Sequence, residues 1–313
     1  MSDPVLEARD ITVSFTPGQR PAVAETSLEI HAGDAIGIVG ESGSGKTTLA
    51  RVLVGALAPS SGSVEVLGRP WRSIGHKDPI RRKVQMIFQD PYASLNPRMT
   101  ARDTVAEILH IWNRGSRDEA REKAAERLAE VGITGAAVDR RPARLSGGQC
   151  QRVGIARALA CDPDVLIADE PTSSLDVSVQ ANILNMLMDF RESRGLALVF
   201  ISHDLSVVRY ITNRALVMYR GRVIETGATS QLLSEPAHPY TTCLIDSIPG
   251  SGGASELVRN DLGSDEGCVF ATRCFRMGDR CDQVEPQLVR NGNGRRVACH
   301  HPLVEESATK ELT

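Results

Sequence analysis

Residues Gly40-Glu41-Ser42-Gly43-Ser44-Gly45-Lys46-Thr47 spell G-x-x-x-x-G-K-T, the pattern of a phosphate-binding loop. The pattern constrains the fold because it works only between a strand and a helix. The flanks meet that condition. Ala35–Val39 is a short unbroken apolar run, and Leu49, Leu53 and Leu57 recur every four residues behind the loop, the spacing of an amphipathic helix. Glycines without a Cβ let backbone N–H groups approach phosphate oxygens, and the helix adds the partial positive charge of its N-terminus. Lys46 is then placed for the β- and γ-phosphates and the Thr47 hydroxyl for Mg²⁺.

Three further apolar runs, Val84–Phe88, Val165–Ala168 and Ala197–Ile201, read as buried parallel strands. Leu166-Ile167-Ala168 ends in Asp169-Glu170, so an acid pair stands at a strand end. Asp169 suits Mg²⁺ and Glu170 suits the attacking water, which it can orient or deprotonate. Before the loop, Ile11–Phe15 and Leu28–Ile30 alternate apolar and polar residues, which predicts antiparallel strands with one buried face. Ile183, Leu187 and Phe190 predict a helix with an apolar stripe. Ser116 and Glu119 form a capping-box signature ahead of Ala120, Ala124, Leu128 and Val131, so residues from about 100 to 160 read as helices inserted between sheet strands. Gly250–Gly253 reads as a linker into a cysteine-rich tail.

Composition excludes some classes. A formal charge of −3 over 313 residues gives no reason to expect nucleic acid. No apolar run approaches the ~20 residues that span a bilayer. Met1–Pro4 has neither the basic nor the apolar part of a secretory signal, so a cytosolic chain is expected, with any membrane contact made through partners.

Leu145-Ser146-Gly147-Gly148-Gln149, Asp169-Glu170-Pro171-Thr172, Ser173-Ser174-Leu175-Asp176 and Ser202-His203-Asp204 follow the loop in the order that they take in ABC transporter ATPases, and residues 5–235 resemble one complete nucleotide-binding domain of that superfamily. The implied fold is α/β: an ABC ATPase domain over 1–240, with an N-terminal antiparallel β part and a helical subdomain at about 91–162. A small extension over 241–313 carries four cysteines. The resemblance makes Glu170 the catalytic carboxylate and His203 the switch histidine. Gln89 becomes the residue that senses Mg²⁺ and water, Asp176 the acid at a dimer interface, and Phe15 the ring that stacks on adenine. Nucleotide binding then involves Phe15, Gly40, Ser42, Gly43, Ser44, Gly45, Lys46, Thr47 and Thr48, with Mg²⁺ held by Thr47, Gln89 and Asp169. Ser146, Gly147, Gly148 and Gln149 supply donors to the γ-phosphate of another subunit, so ATP joins two chains head to tail.

Phe88-Gln89-Asp90-Pro91-Tyr92-Ala93-Ser94-Leu95-Asn96-Pro97-Arg98 and Glu235-Pro236-Ala237-His238-Pro239-Tyr240-Thr241 narrow the resemblance to oligopeptide/dipeptide (peptide/nickel) importers, and to the second of their two paralogous ATPases. The implied partners are a paralogous ATPase, two membrane permease subunits and, indirectly, an extracytoplasmic substrate-binding protein. The place of work is the cytoplasmic face of the membrane, and the coupling surface is expected in Asp90–Arg102. The alternatives are an importer subunit for nickel or another small solute, and a soluble ABC ATPase.

Cys268, Cys274, Cys281 and Cys299 are separated by five, six and seventeen residues, unlike the short pairs of usual zinc modules, so spacing alone favours isolated thiols. The resemblance implies a [4Fe–4S] cluster on these four, with zinc second and His300 or His301 as substitute ligands. Cys150 stands where the family commonly has Arg or Gln. It reads as a small packed residue, or as a thiol activated near a helix N-terminus.

Overall fold

The computed structural model describes residues 3–113, 115–173, 175–247, 266–292 and 294–304. Ser174 and the expected linker Gly250–Gly253 lie outside them.

The alternating N-terminal segment forms β1 (Leu6–Val13) and β2 (Val23–Ile30), paired antiparallel with Leu6 opposite Ile30. β4 (Ser61–Val66) pairs with the other edge of β1 and carries the short β5 (Arg69–Pro70), giving a four-stranded sheet in the order β2-β1-β4-β5. Leu6, Leu28, Ile30 and Val66 are buried as a period of two requires, and a register shift between Ala8 and Ile11, with Asp10 at φ +49°, turns Ile11 inward as well.

The unbroken apolar runs become the parallel centre of a second sheet: β3 (Ala35–Val39), β6 (Val84–Ile87), β7 (Val165–Asp169) and β8 (Ala197–Ser202). Every residue of β3, β7 and β8 is buried, which is why these strands read as continuous rather than alternating. β9 (Arg214–Tyr219) lies parallel to β3 on its other side, and β10 (Arg222–Ala228) turns back antiparallel to β9. The hairpin β11 (Val289–Arg290) and β12 (Arg296–Val297) completes an eight-stranded sheet in the order β11-β12-β10-β9-β3-β8-β7-β6.

Helix α1 (Lys46–Leu53) is shorter than the leucine spacing suggests. Gly55 adopts φ +73°, and Leu57 packs on the core from beyond the helix. Between β6 and β7 lie α2 (Ala101–Asn113), α3 (Arg117–Glu130) and α4 (Gly147–Leu159). The Ser116/Glu119 capping box is formed reciprocally at the start of α3, and Ala120, Ala124, Leu128 and Val131 are buried as the pattern demands. α5 (Val177–Arg194), α6 (Leu205–Ile211) and α7 (Thr229–Ser234) follow. The fully buried Ile183 and Leu187 each contribute about 1.5–3 kcal/mol by leaving water.

Periodicity fades after Pro239 in the sequence, yet Pro239–Asp246 forms a helix, α8. His238 caps it, its Nδ1 accepting the Tyr240 N–H at 3.0 Å, and Pro239 takes the first helical position. Burial pushes His238 down to about 3, so it stays neutral. Glu225, wholly buried on β10, accepts the N–H groups of Ala237 (2.7 Å) and His238 (3.0 Å) and the Thr241 hydroxyl (2.6 Å). The cysteine-bearing segment packs on the same core. Cys268, Val269, Phe270, Ala271 and Cys281 belong to the buried cluster that contains Phe200 and Tyr240.

Candidate functional site

The expected site residues converge at the C-terminal ends of the parallel strands, where open α/β sheets bind ligands. Gly40 follows β3, Gln89 follows β6, Glu170 follows β7, and His203 follows Ser202, the last residue of β8. Gly40, Gly43 and Gly45 adopt φ of 153°, 81° and 101°. A Cβ at Gly40 would collide with the Met218 carbonyl, and one at Gly45 with the Ala22 carbonyl. Gly40 and Gly45 are therefore required by close approach as well as by dihedral angle, and Gly43 by dihedral angle alone.

Lys46 opens α1 and is buried. Its ammonium donates to the carbonyls of Gly40 (2.7 Å) and Glu41 (2.8 Å), so the lysine bends the loop around itself. Burial lowers its pKa, opposed by Glu170, Asp169 and Glu41. The Thr47 hydroxyl donates to Asp169 Oδ1 at 3.2 Å, which brings two of the three expected Mg²⁺ ligands to one point, while the third, Gln89, bonds Glu170. Asp169 is 2% exposed, and burial raises its pKa. A cation there would relieve that burden, and a hydroxyl beside a carboxylate suits a hard ion that keeps several waters. The donor set thus fits Mg²⁺.

Glu170 Oε2 accepts Gln89 Nε2 at 3.1 Å and lies 3.3 Å from His203 Nδ1. Three residues far apart in sequence meet on one carboxylate oxygen. Glu170 has φ +44°, a backbone state that costs roughly 1–3 kcal/mol in a residue with a Cβ. Its N–H to Ile201 O (3.0 Å) and the Ser173 hydroxyl on its carbonyl (3.1 Å) hold it there. His203 is 62% exposed, free to meet a ligand. Phe15 is 69% exposed, as a stacking ring without its partner would be.

Ser146 begins α4 as a capping box. Its hydroxyl accepts the Gln149 N–H at 3.3 Å, and Gln149 Oε1 accepts the Ser146 N–H at 3.0 Å. These bonds satisfy two backbone donors and leave those of Gly147 and Gly148 at the open helix end. Asp176 caps α5 through the Val179 N–H (3.0 Å), which holds its carboxyl below the usual range. The stretch Asp90–Arg102 is tied to α4 by Arg157 Nη1 on Ser94 O (2.6 Å) and to the segment leading into it by Tyr92 Oη on Leu145 O (3.3 Å).

The activated reading of Cys150 is corrected. The thiol sits inside α4 with no exposed surface, and burial pushes it up to about 11. Neither the [4Fe–4S] nor the zinc expectation finds support in the described residues. His300 Nε2 engages Val284 O (2.7 Å) and His301 Nε2 engages Asp279 O (3.2 Å). Among the described residues, no three His, Cys, Asp or Glu side chains are grouped to hold a metal ion.

Residues 23–173 match the ABC transporter family, and residues 224–281 match the oligopeptide/dipeptide transporter C-terminal region. The chain is 42% identical to the putative oligopeptide transport ATP-binding protein YkfD of Bacillus subtilis, over 98% of each chain. It is 41% identical to the oligopeptide transport ATP-binding protein OppF of Haemophilus influenzae, over 94% of this chain and 96% of that one. This chain belongs to the ATP-binding subunits of oligopeptide/dipeptide ABC importers. The di/tripeptide transport ATP-binding protein DppF of Pseudomonas aeruginosa is a further relative, 42% identical over 95% of this chain and 97% of its own. Among solved structures, the ATP-binding cassette MJ0796, as a dimer in a post-hydrolysis state bound to ADP and phosphate, superposes with a TM-score of 0.66. It shares 31% identity and covers 72% of this chain and 98% of its own. The family membership makes the chain an ATP-hydrolysing subunit and favours peptide import over the nickel alternative. No helix among the described residues is long and apolar enough to cross a membrane.

Proposed function

We propose that this subunit powers import of di- or oligopeptides by closing head to tail on a paralogous ATPase with ATP between them, then reopening on hydrolysis. The observation that carries this reading is the meeting of Gln89, His203 and Glu170 on one carboxylate oxygen, beside the Thr47–Asp169 pair. In it, Glu170 takes the proton of the attacking water, Gln89 and His203 orient that water and the γ-phosphate, and Phe15 stacks on adenine. The loop from Gly40 through Ser42, Gly43, Ser44, Gly45, Lys46, Thr47 and Thr48 cradles the phosphates, and Thr47, Asp169 and Gln89 would hold Mg²⁺, which would supply charge stabilisation when bound. Ser146, Gly147, Gly148 and Gln149 serve the partner's nucleotide, with Asp176 at the same interface.

The subunit is peripheral on the cytoplasmic face of the membrane, and substrate choice belongs to the permeases and the extracytoplasmic binding protein. A groove of about 540 Å³ lined by Phe88, Ser94, Asn96, Met99, Glu107 and Arg157 supports Asp90–Arg102 as the permease contact. We also divide the chain into an ATPase part over 1–240, its helical subdomain at about 91–162, and an extension over 241–313.

In that extension we assign a [4Fe–4S] cluster to Cys268, Cys274, Cys281 and Cys299, ahead of zinc. Cys268 and Cys281 are buried together, the Cys268 N–H donating to the Cys281 carbonyl at 2.7 Å, and the resemblance of the tail supplies the rest of the assignment.

Affinity purification of the tagged chain from membranes tests the partner assignment. Two permease subunits and a second ATPase should copurify in comparable amounts. Recovery of the chain alone, or with cytosolic partners only, would favour a soluble ABC ATPase.

A further inference from the structure

The phosphate-binding loop is gripped from behind by residues that the ATP chemistry does not use. Glu41, the second residue of the loop, reaches the C-terminal segment with its side chain. Its carboxylate receives both arms of the Arg273 guanidinium, Nη1 to Oε2 at 3.0 Å and Nη2 to Oε1 at 3.1 Å. Its backbone N–H donates to the Tyr240 hydroxyl at 2.9 Å. One residue of the loop is therefore pinned through both side chain and main chain, across 232 and 199 positions of sequence.

The grip is itself well seated. Arg273 closes a short 3₁₀ turn, Ala271–Arg273, and its side chain is 12% exposed. Its Nη1 also donates to the Tyr219 hydroxyl at 3.1 Å, and its guanidinium lies 5.7 Å from the Tyr219 ring and 5.8 Å from the Phe270 ring. Tyr219, Tyr240 and Phe270 pack on one another with centroids 4.5–5.4 Å apart. Tyr219 ends β9 immediately after Met218, whose carbonyl closes on Gly40. A planar fork on a carboxylate fixes orientation as well as distance, which a lysine would not do.

We propose that Arg273, acting through Glu41 together with Tyr240, is a positioning residue that holds the phosphate-binding loop in its nucleotide-receptive form. ATP affinity is thereby tied to the folded state of the C-terminal segment. The physical reason is entropic. A loop with three glycines at positive φ orders poorly by itself, and any ordering left to the binding step is subtracted from affinity. Pinning Glu41 removes part of that cost before ATP arrives. The effect falls equally on ground and transition states, so it moves binding constants rather than turnover. The proposal rests on the loop being the ATP site, and the test separates the two claims.

The full-length protein is titrated with a fluorescent ATP analogue, and MgATP hydrolysis is measured in parallel, for wild type, Arg273→Ala, Arg273→Lys, Glu41→Gln and the double variant Glu41→Gln/Arg273→Ala. Thermal unfolding is recorded for each. Each of Arg273→Ala and Glu41→Gln should weaken binding and raise KM roughly tenfold, as expected for losing a charge-assisted pair that is largely buried on the arginine side and part-exposed on the glutamate side, with kcat held within about twofold. The double variant should be no worse than either single, because both break one contact. Arg273→Lys should recover part of the loss. Glu41→Gln keeps the shape of a part-exposed side chain and leaves the C-terminal segment intact, so it reports on the loop even if Arg273→Ala unfolds that segment. Wild-type affinity and KM in Glu41→Gln, or additive losses in the double variant, overturn the proposal. Failure of the wild type itself to bind the analogue would instead strike the site reading beneath it.

Discussion

Replacing Glu170 by Gln isolates the proton-accepting role of one carboxylate. The substitution keeps shape. The Gln89 amide still finds an oxygen acceptor where it now bonds Glu170 Oε2 at 3.1 Å, and the φ of +44° is no harder for Gln than for Glu. Stability should therefore move by less than about 0.5 kcal/mol, the usual range for a change that creates no cavity or orphan charge. ATP should bind at least as well, since a negative charge that opposes Asp169 ionisation is removed from the phosphate site. The chemistry is what suffers. Losing a positioned general base costs typically 10²–10⁴-fold, or about 2.7–5.4 kcal/mol of barrier at 1.36 kcal/mol per decade. With hydrolysis blocked and binding intact, the closed ATP-bound dimer should accumulate. Steady-state phosphate release and size-exclusion in MgATP read the two effects together. Turnover within about threefold of wild type, with normal unfolding, would refute the role of Glu170 and the inference from the three-residue convergence.

Two further outcomes are expected. Cys150 and Cys161, buried and pushed up to about 11 and about 12, should resist maleimide in the native protein, with or without ATP, and label fully once it is unfolded. Labelling of Cys150 that ATP blocks would restore its activated reading. Anaerobic purification should give a brown protein with about four irons per chain, and one zinc without iron would overturn the cluster assignment.

Much of this architecture is legible in the sequence because its signals are local. The loop glycines, the buried runs and the Ser116/Glu119 box each declare themselves within ten residues. The same box stands in Ser146-Gly147-Gly148-Gln149, where its resemblance to a phosphate-binding signature masks the simpler capping role. The run Ala215–Tyr219 carries as clear a strand signal as its neighbours, yet nothing local says that it lies beside β3. The order of parallel strands is set by crossovers, which leave no local trace. The strained Glu170 and the Arg273–Glu41 fork are beyond sequence reading for a related reason. Each depends on partners brought in from other strands, as Ile201 is for Glu170. Cys150 makes the same point in reverse. A helix N-terminus lowers a thiol pKa only where solvent and charge reach it, and here tertiary burial decides the outcome.

The most direct test of the account is uptake of a labelled di- or oligopeptide by cells lacking this gene. Uptake should be lost, should return with the wild-type chain, and should stay lost with Glu170→Gln although that variant still assembles with the permeases. Undiminished peptide uptake in the deletion strain, or restoration by Glu170→Gln, would contradict a peptide importer driven by hydrolysis at this site.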